Sequence, residues 1–187
     1  NFRAIQVMNR LLESNQLATP DEVETLKGYT SFGAVPKIFE TDHPDYDALR
    51  SILSHDHYAA ARKATVNSFY TNRDIISVLW SWLRDSLGFT GGAVLDPAIG
   101  TGNFYQAMPH ELRQASTLIG VDMDTLAGSI AKLILPDAQI ALLPFQKAQL
   151  PQSFDLAITN VPFGQIPIYD KMIPREVSRS IHNYYIA

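Results

Sequence analysis

The sequence predicts an α/β protein in which an open parallel sheet follows a region made of helices. Three observations lead to this fold class. Apolar residues recur at helical spacing over much of the first 88 residues, short apolar runs alternate with helical segments after that point, and glycine or polar residues follow the runs. Strands that alternate with helices form Rossmann-like parallel sheets. We therefore divide the chain into an N-terminal helical region, 1–88, and a sheet-containing core, 89–187.

The N-terminal region contains clear signals for individual helices. Apolar positions between residues 2 and 12 have helical spacing, and Thr19 and Glu22 have the spacing of a capping box that would begin a second helix. We expect one longer helical stretch from about residue 45 into the low sixties, and a further helix over 72–87. These signals predict a helical layer that precedes the sheet.

The core contains four apolar runs that predict strands, at 93–95, 118–121, 139–142 and 154–158. A helix is expected over 125–135, between the second and third strands. Ligands of open α/β sheets bind beyond the carboxyl ends of the strands. The residues that directly follow each run are therefore the candidates for a functional site.

Composition excludes several classes of function. The 187 residues include no cysteine, so disulfides, thiol catalysis and cysteine-bound zinc are excluded. The net charge of −4 argues against a protein that binds nucleic acid through its overall charge. None of the five histidines lies in a motif, and we predict no metal site. The sequence shows no transmembrane run and no secretory signal, so we expect no membrane partner and a cytoplasmic location.

The first candidate motif runs from Asp96 to Phe104, directly after the first strand. Two glycines, Gly100 and Gly102, would let the backbone approach a ligand and expose amide groups at a helix N-terminus. A phosphate loop is disfavoured because no Gly-Lys-Ser/Thr follows, and a dinucleotide fingerprint is poor because Tyr105 stands where its third glycine would be. An acidic residue before the loop suits a cationic ligand, while an ordinary strand-to-helix turn stays open.

Two further candidates follow later strands. Asp122, at the end of the second strand, could accept both hydroxyl groups of a ribose, although a helix N-cap is the alternative and Asp124 suits that role better. Asn160, with the main-chain carbonyl of Val161, offers two acceptors for an amino group, and Phe163 offers a flat face for stacking. Taken alone, this last segment could also be a simple turn.

Together and in this order, these motifs resemble those of S-adenosylmethionine-dependent N6-adenine DNA methyltransferases. The matching motifs are Asp96-Pro97-x-x-Gly100-x-Gly102-x-Phe104, Asp122 and Asn160-x-Pro162-Phe163. The N-terminal stretch and segment 67–71 also resemble large phage and plasmid proteins that join such a methylase to a helicase. The resemblance implies a class I methyltransferase sheet of seven strands. Only four are predicted here, so we expect a fragment that is truncated at its C-terminal side.

The resemblance assigns a cofactor site for S-adenosylmethionine. It implies that Asp96 faces the ammonium group, that Asp122 holds the ribose, and that Met123 and Phe145 cover the adenine ring. The family often has an acidic residue where this chain has Gln146. The complete implied set is Phe69, Tyr70, Thr71, Asp96, Pro97, Gly100, Gly102, Phe104, Asp122, Met123 and Phe145.

The resemblance also implies a catalytic loop of Asn160, Val161, Pro162 and Phe163. Asn160 and the carbonyl of Val161 would hold the N6 amino group of an adenine flipped out of the DNA duplex, and Phe163 would stack on its ring. Methyl transfer would then be direct, with no general base. The usual motif has proline where Val161 stands, and a main-chain role tolerates that difference.

Other functions remain open at this stage. The same motif logic occurs in methyltransferases that act on RNA adenine or on glutamine amides, and a non-catalytic methylase-like module of a larger defence or transfer protein is a further alternative. Only 64 positions separate Asp96 from Asn160, too few for an inserted DNA-recognition domain. Elements that recognise DNA are therefore expected outside this chain, in a C-terminal part, a fused helicase or a partner subunit.

Overall fold

A computed structural model describes residues 1–65, 70–151, 153–162, 168, 170, 173–178 and 180–186. Within these residues four strands form one sheet in the order β3-β2-β1-β4, and every neighbouring pair is parallel. The predicted open parallel α/β sheet is thereby confirmed. The strands are β1 (Gly92–Asp96), β2 (Ser116–Asp122), β3 (Gln139–Leu142) and β4 (Leu156–Ala157).

Helices precede the sheet and connect its strands. The α-helices are α1 (Phe2–Ser14), α2 (Pro20–Lys27), α3 (Tyr46–Ile52), α4 (His55–Ala64), α5 (Arg73–Asp85), α6 (Asn103–Gln106), α7 (His110–Gln114), α8 (Thr125–Ile134), α9 (Arg175–Ser178) and α10 (Ile181–Ile186). Two short 3-10 helices span Pro36–Phe39 and Phe145–Lys147. Among the described residues, no helix is both long and apolar enough to cross a membrane.

The strand β4 is shorter than the predicted run 154–158, although its pairing continues at both ends. The Asp155 N–H donates to the Ala93 carbonyl over 2.9 Å, and the Ile158 N–H donates to the Leu95 carbonyl over 2.9 Å. These bonds hold β4 against the central strand β1. The loop after β4 therefore begins directly beside the loop after β1.

The stretch expected as one helix from about residue 45 is two helices, α3 and α4. Leu53 and Ser54 both have extended backbone, and the Ser54 hydroxyl accepts a hydrogen bond from the His57 N–H over 3.2 Å. A serine side chain that satisfies an N–H in the first turn favours a new helix start. The expectation of a single helix was wrong because this local cap separates two segments of similar periodicity.

The N-terminal helices share their core with the sheet. One continuous cluster of buried side chains includes Ile5 of α1, Leu26 of α2, Ala61 of α4, Val94 of β1 and Ile130 of α8. The helices α1, α2 and α4 all pack against α8. The division at residues 88 and 89 stays a prediction, but this packing brings α4 to the end of the sheet where β2 leads into α8.

The predicted capping box at the start of α2 is confirmed. The Glu22 N–H donates to Thr19 Oγ1 over 3.4 Å, and the Thr19 N–H donates to Glu22 Oε2 over 2.9 Å. Replacing Thr19 with alanine is expected to lower the free energy of unfolding by about 1 kcal/mol, since it leaves an N–H in the first turn unpartnered. Denaturant unfolding of the variant measures this loss.

A matched control lies on the same helix. The Thr25 hydroxyl only bonds back to the Asp21 carbonyl, over 3.0 Å. Because alanine is the better helix former, the Thr25→Ala variant should be as stable as the unmodified protein or slightly more stable. Equal losses in the two variants would contradict the capping role.

Candidate functional site

The loops after three strands meet at one edge of the sheet. The loop after β1 begins at Asp96, Asp122 ends β2, and Asn160 lies three residues beyond β4. The order of the strands reverses between β1 and β4, because β2 follows on one side of β1 and β4 lies on the other. Such a switch point opens a crevice at the carboxyl ends of the strands, where open α/β sheets bind their ligands.

A pocket occupies this crevice. Predicted site residues that line it are Tyr70, Thr71, Gly100, Phe104, Asp122, Met123, Asn160 and Pro162. Other described residues that line it, which the sequence did not predict as site residues, are Ala60, Lys63, Ala64, Ala98, Ile99, Asn103, Asp124 and Ala127. The remaining predicted residues Asp96, Pro97, Gly102, Phe145 and Val161 do not line it, and Phe69 and Phe163 lie outside the described residues.

The two glycines of the loop after β1 adopt left-handed backbone conformations, and their N–H groups donate to acceptors within the protein. Gly100 and Gly102 have φ values of 54° and 82°. The Gly100 N–H donates to Asp122 Oδ2 over 2.6 Å, and the Gly102 N–H donates to the Ile99 carbonyl over 2.8 Å. The N–H groups of the two glycines are therefore used within the protein, and the expectation of exposed amide groups where α6 begins, after Gly102, stays a prediction.

Contacts behind the loop explain its shape. A Cβ atom at Gly102 would lie 2.3 Å from Leu135 Cδ1, and the positive φ of Gly102 is one that other residues rarely adopt. The hydroxyl of Tyr105 lies within hydrogen-bonding distance of the carbonyls of Val94, at 3.0 Å, and Ile119, at 2.6 Å. A large side chain thus occupies the place of the third glycine of a dinucleotide fingerprint. The helix α6 is held from its other side by Trp80, whose ring N–H donates to the Phe104 carbonyl over 2.8 Å.

Asp96 is buried behind the pocket wall, with 1% of its surface exposed. Its Oδ1 accepts a hydrogen bond from the Ala98 N–H over 3.2 Å. Burial raises the pKa of Asp96 to about 7, while the nearby Thr159 hydroxyl and the Ala98 N–H act in the opposite direction. Neither Asp96 Oδ2 nor Thr159 Oγ1 reaches a hydrogen-bond partner. The carboxyl therefore retains an unused acceptor.

Asp122 joins two loops. Its Oδ2 accepts from the Gly100 N–H, and its Oδ1 accepts from the Asp124 N–H over 2.8 Å. Burial raises the pKa of Asp122 to about 6, and these backbone donors limit the rise. A carboxylate has about four acceptor positions. Asp122 therefore still has acceptor capacity for ligand hydroxyl groups.

Asp124 is the N-cap of α8, as the sequence favoured over Asp122. Its Oδ1 accepts from the N–H groups of Leu126, over 3.0 Å, and Ala127, over 3.2 Å. Its Oδ2 is buried without a hydrogen-bond partner, and burial raises the pKa of this carboxyl. Asp124 lines the pocket beside Asp122. The sequence indicated Asp124 as a helix cap but not as a residue of the pocket wall.

Tyr70 closes the pocket over the glycine loop. A Cβ atom at Gly100 would lie 3.6 Å from Cε1 of the Tyr70 ring. The pKa of Tyr70 lies well above its ordinary value, first because the hydroxyl is buried and then because Tyr29, Asp124 and Asp122 face it. The hydroxyl therefore stays protonated near neutral pH.

The ring of Phe145 has one face covered by the C-terminal helix. Tyr185 of α10 stacks on it with ring centroids 5.2 Å apart and planes inclined by 19°. Burial, and then the charges of Asp122 and Asp96, raise the pKa of Tyr185 to about 12. The neighbouring Tyr184 hydroxyl donates to Asp170 Oδ2 over 2.7 Å. A ligand ring can use this face of Phe145 only after Tyr185 moves.

A second, more open hollow adjoins the pocket. It shares Tyr70, Thr71, Phe104 and Asn160 with the pocket, and adds Asn72, Ile75 and Thr159. Asn160 therefore borders both spaces. No group of three or more His, Asp or Glu side chains that could hold a metal ion occurs in the described part of the chain.

Comparison with solved structures finds distant similarities. The chain is similar to a protein of Listeria monocytogenes assigned as a class I S-adenosylmethionine-dependent methyltransferase, with 16% identity, a TM-score of 0.48 and coverage of 87% of this chain and 52% of that one. It is also similar to the type I restriction-modification methyltransferase subunit of Streptococcus thermophilus, with 14% identity, a TM-score of 0.45 and coverage of 60% and 30%.

A third similar structure is a protein of Vibrio vulnificus YJ016 assigned as the modification subunit of a type I restriction enzyme, with 20% identity, a TM-score of 0.42 and coverage of 80% of this chain and 30% of that one. The chain thus spans about half of the first of these structures and 30% of the other two. No protein-family model matches the chain, and no curated protein matches it.

The buried carboxyl of Asp96 predicts a pH-dependent stability. Its folded pKa of about 7 lies above the ordinary 3.8, so the folded state binds the proton more tightly than the unfolded state. The contribution of Asp96 to the free energy of unfolding therefore falls as the pH rises from about 4 to about 7. The Asp96→Asn variant, which cannot ionise, should gain stability relative to the unmodified protein as the pH rises through this window.

Denaturant unfolding at several pH values between about 5 and 8 tests this expectation. The Asp56→Asn variant is the control, because the Asp56 side chain is 92% exposed. Its stability should follow that of the unmodified protein at every pH. A constant difference between the Asp96→Asn variant and the unmodified protein would show that Asp96 does not titrate in this window.

Proposed function

We propose that this chain forms the cofactor-binding and catalytic part of a methyltransferase that transfers a methyl group from S-adenosylmethionine to the N6 amino group of adenine in DNA. The observation that carries the proposal is the position of Asn160, which borders both the carboxylate-lined pocket and the second hollow. A transfer reaction needs such a residue, because donor and acceptor must meet from two sides.

The pocket residues, together with Asp96 behind the pocket wall, fit the chemical groups of the cofactor. Asp122 has acceptor positions left for the two hydroxyl groups of a ribose. Asp96 Oδ2 lacks a partner, and a ligand ammonium group that reaches it would supply one. Met123 lies on the pocket wall with 50% of its surface exposed, as an apolar cover for a purine ring requires. Tyr70 and Thr71 complete this wall near the glycine loop.

Catalysis follows from the acceptors after β4. S-adenosylmethionine supplies an electrophilic methyl group bound to a positively charged sulfur. Asn160 Oδ1 and the Val161 carbonyl accept the two N6 hydrogens of adenine, which directs the nitrogen lone pair towards that methyl group. With the cofactor bound, N6 would take the methyl group as the carbon–sulfur bond of the cofactor breaks to leave a neutral thioether, and N6 would release one proton to water. Pro162 limits the motion of the loop, and stacking by Phe163 stays a prediction from the sequence.

DNA binding requires more than the overall charge of this chain. The net charge of −4 gives little long-range attraction to phosphates. We propose that recognition elements in another part of the protein or in a partner subunit hold the duplex, and that the flipped adenine enters the second hollow. A fused helicase, as in the phage and plasmid proteins that the sequence resembles, would be one such arrangement.

Replacement of Asn160 with alanine tests the reaction. Transfer of tritiated methyl groups to adenine-containing duplex DNA should fall by roughly a hundredfold or more, because one of two preorganised acceptors is removed. Affinity for S-adenosylmethionine, measured by calorimetry on the same preparation, should change little. RNA and glutamine-containing peptides are parallel substrates. Cofactor binding without transfer to any substrate would instead favour a non-catalytic module.

The stack of Tyr185 on Phe145 gives a second test of the cofactor site. Adenine can stack on the covered face of Phe145 only when Tyr185 is displaced, so the Tyr185→Ala variant should bind S-adenosylmethionine severalfold more tightly than the unmodified protein. The Tyr184→Phe variant is the control, because it removes only the hydroxyl group that bonds to Asp170. Weaker binding by the Tyr185→Ala variant would show that Tyr185 is part of the site rather than an obstacle.

A further inference from the structure

The helix α4 forms one wall of the pocket. Ala60, Lys63 and Ala64 line it, and their spacing of three and four residues places them on one side of the helix. The helix is fixed on α8 by Ala61, which is fully buried, and by His57, which lies close enough to Asp124 for the two side chains to interact electrostatically. The wall therefore has a defined position relative to the ends of the strands.

The described residues that line the pocket include more acidic than basic side chains. Asp122 and Asp124 are acidic, and Lys63 is the one lysine or arginine among the described residues that line the pocket. The Lys63 side chain is exposed and makes no ion pair or hydrogen bond within the described part of the chain. By contrast, Lys27 at the end of α2 pairs with Glu24 over 2.6 Å. Lys63 thus lines the pocket and carries a positive charge that no ion pair within the described residues neutralises.

The carboxylate of the cofactor needs a donor, and the N–H groups of the two loop glycines are not available for it. The N–H groups of Gly100 and Gly102 already donate to Asp122 and Ile99. The acidic side chains of Asp122 and Asp124 would repel the negatively charged carboxylate of the cofactor. A free ammonium group on the wall is the described side chain best suited to hold it.

We propose that Lys63 binds the carboxylate of the amino-acid part of S-adenosylmethionine, so that the N-terminal helical region is a working part of the cofactor site. This inference rests on the proposed function, because it assigns one contact to that same cofactor. An ion pair of this kind also distinguishes the intact cofactor from derivatives that lack the carboxylate.

The test compares two ligands with three variants of the full chain. Calorimetry measures the affinity of the unmodified protein, the Lys63→Ala variant and the Arg62→Ala variant for S-adenosylmethionine and for decarboxylated S-adenosylmethionine, which keeps the ammonium group. The Lys63→Ala variant should bind S-adenosylmethionine roughly ten- to a hundredfold more weakly. Its affinity for the decarboxylated ligand should equal that of the unmodified protein, and the Lys63→Arg variant should retain binding of both ligands.

The Arg62→Ala variant is the matched control. Arg62 is exposed, precedes Lys63 on the same helix and does not line the pocket, so its loss should leave both affinities unchanged. Equal weakening of both ligands by Lys63→Ala would overturn the inference, because the carboxylate would then not be the group that Lys63 recognises. An unchanged cofactor affinity with a raised KM for DNA would also overturn it and assign Lys63 to a phosphate.

The outcome for the unmodified protein separates the two proposals. If it binds S-adenosylmethionine while Lys63→Ala has no effect, the contact is wrong and the proposed function stands. If the unmodified protein binds neither ligand, the proposed function itself fails, and the inference about Lys63 falls with it.

Discussion

The hydrogen bond from the Gly100 N–H to the Asp122 carboxylate is the interaction on which the site depends. It joins the loop after β1 to the end of β2, and the second oxygen of Asp122 holds the turn that leads into α8. Burial raises the pKa of Asp122 to about 6, so the carboxyl is mostly ionised at neutral pH and accepts both bonds. One side chain therefore shapes the loop and still offers acceptors to a ligand.

The hydrogen bond between Gly100 and Asp122 also affects which groups of the pocket remain able to bind a ligand. Because the N–H groups of Gly100 and Gly102 are used internally, these two glycines contribute backbone shape rather than donors. Positive charge has to come from elsewhere, and the packing of α4 on α8 brings Lys63 to the wall. The N-terminal helices thus do more than cover the sheet, since they provide one side of the pocket.

Sequence patterns within a few residues predicted the helix caps at Thr19 and Asp124 correctly. Contacts between residues that are distant in the chain were not predicted. The capping box of Thr19 and Glu22 and the N-cap role of Asp124 each depend on atoms within three residues of one another, and both are confirmed. The separation of α3 from α4 was missed, although the cap at Ser54 is also local, because the surrounding periodicity looked continuous. The stack of Tyr185 on Phe145 joins rings that are 40 positions apart, which no local pattern indicates.

The sequence by itself determined that short strands alternate with helices and that polar residues follow the strands at Asp96, Asp122 and Asn160. These features depend on the periodicity of neighbouring residues and on the common direction of parallel strands. Only the tertiary structure decided that β4 lies beside β1, that Asp96 is buried with a pKa of about 7, and that α4 adds Lys63 to the pocket. Burial, desolvation and charge contacts depend on residues that are distant in the chain, and these meet only when the fold is complete.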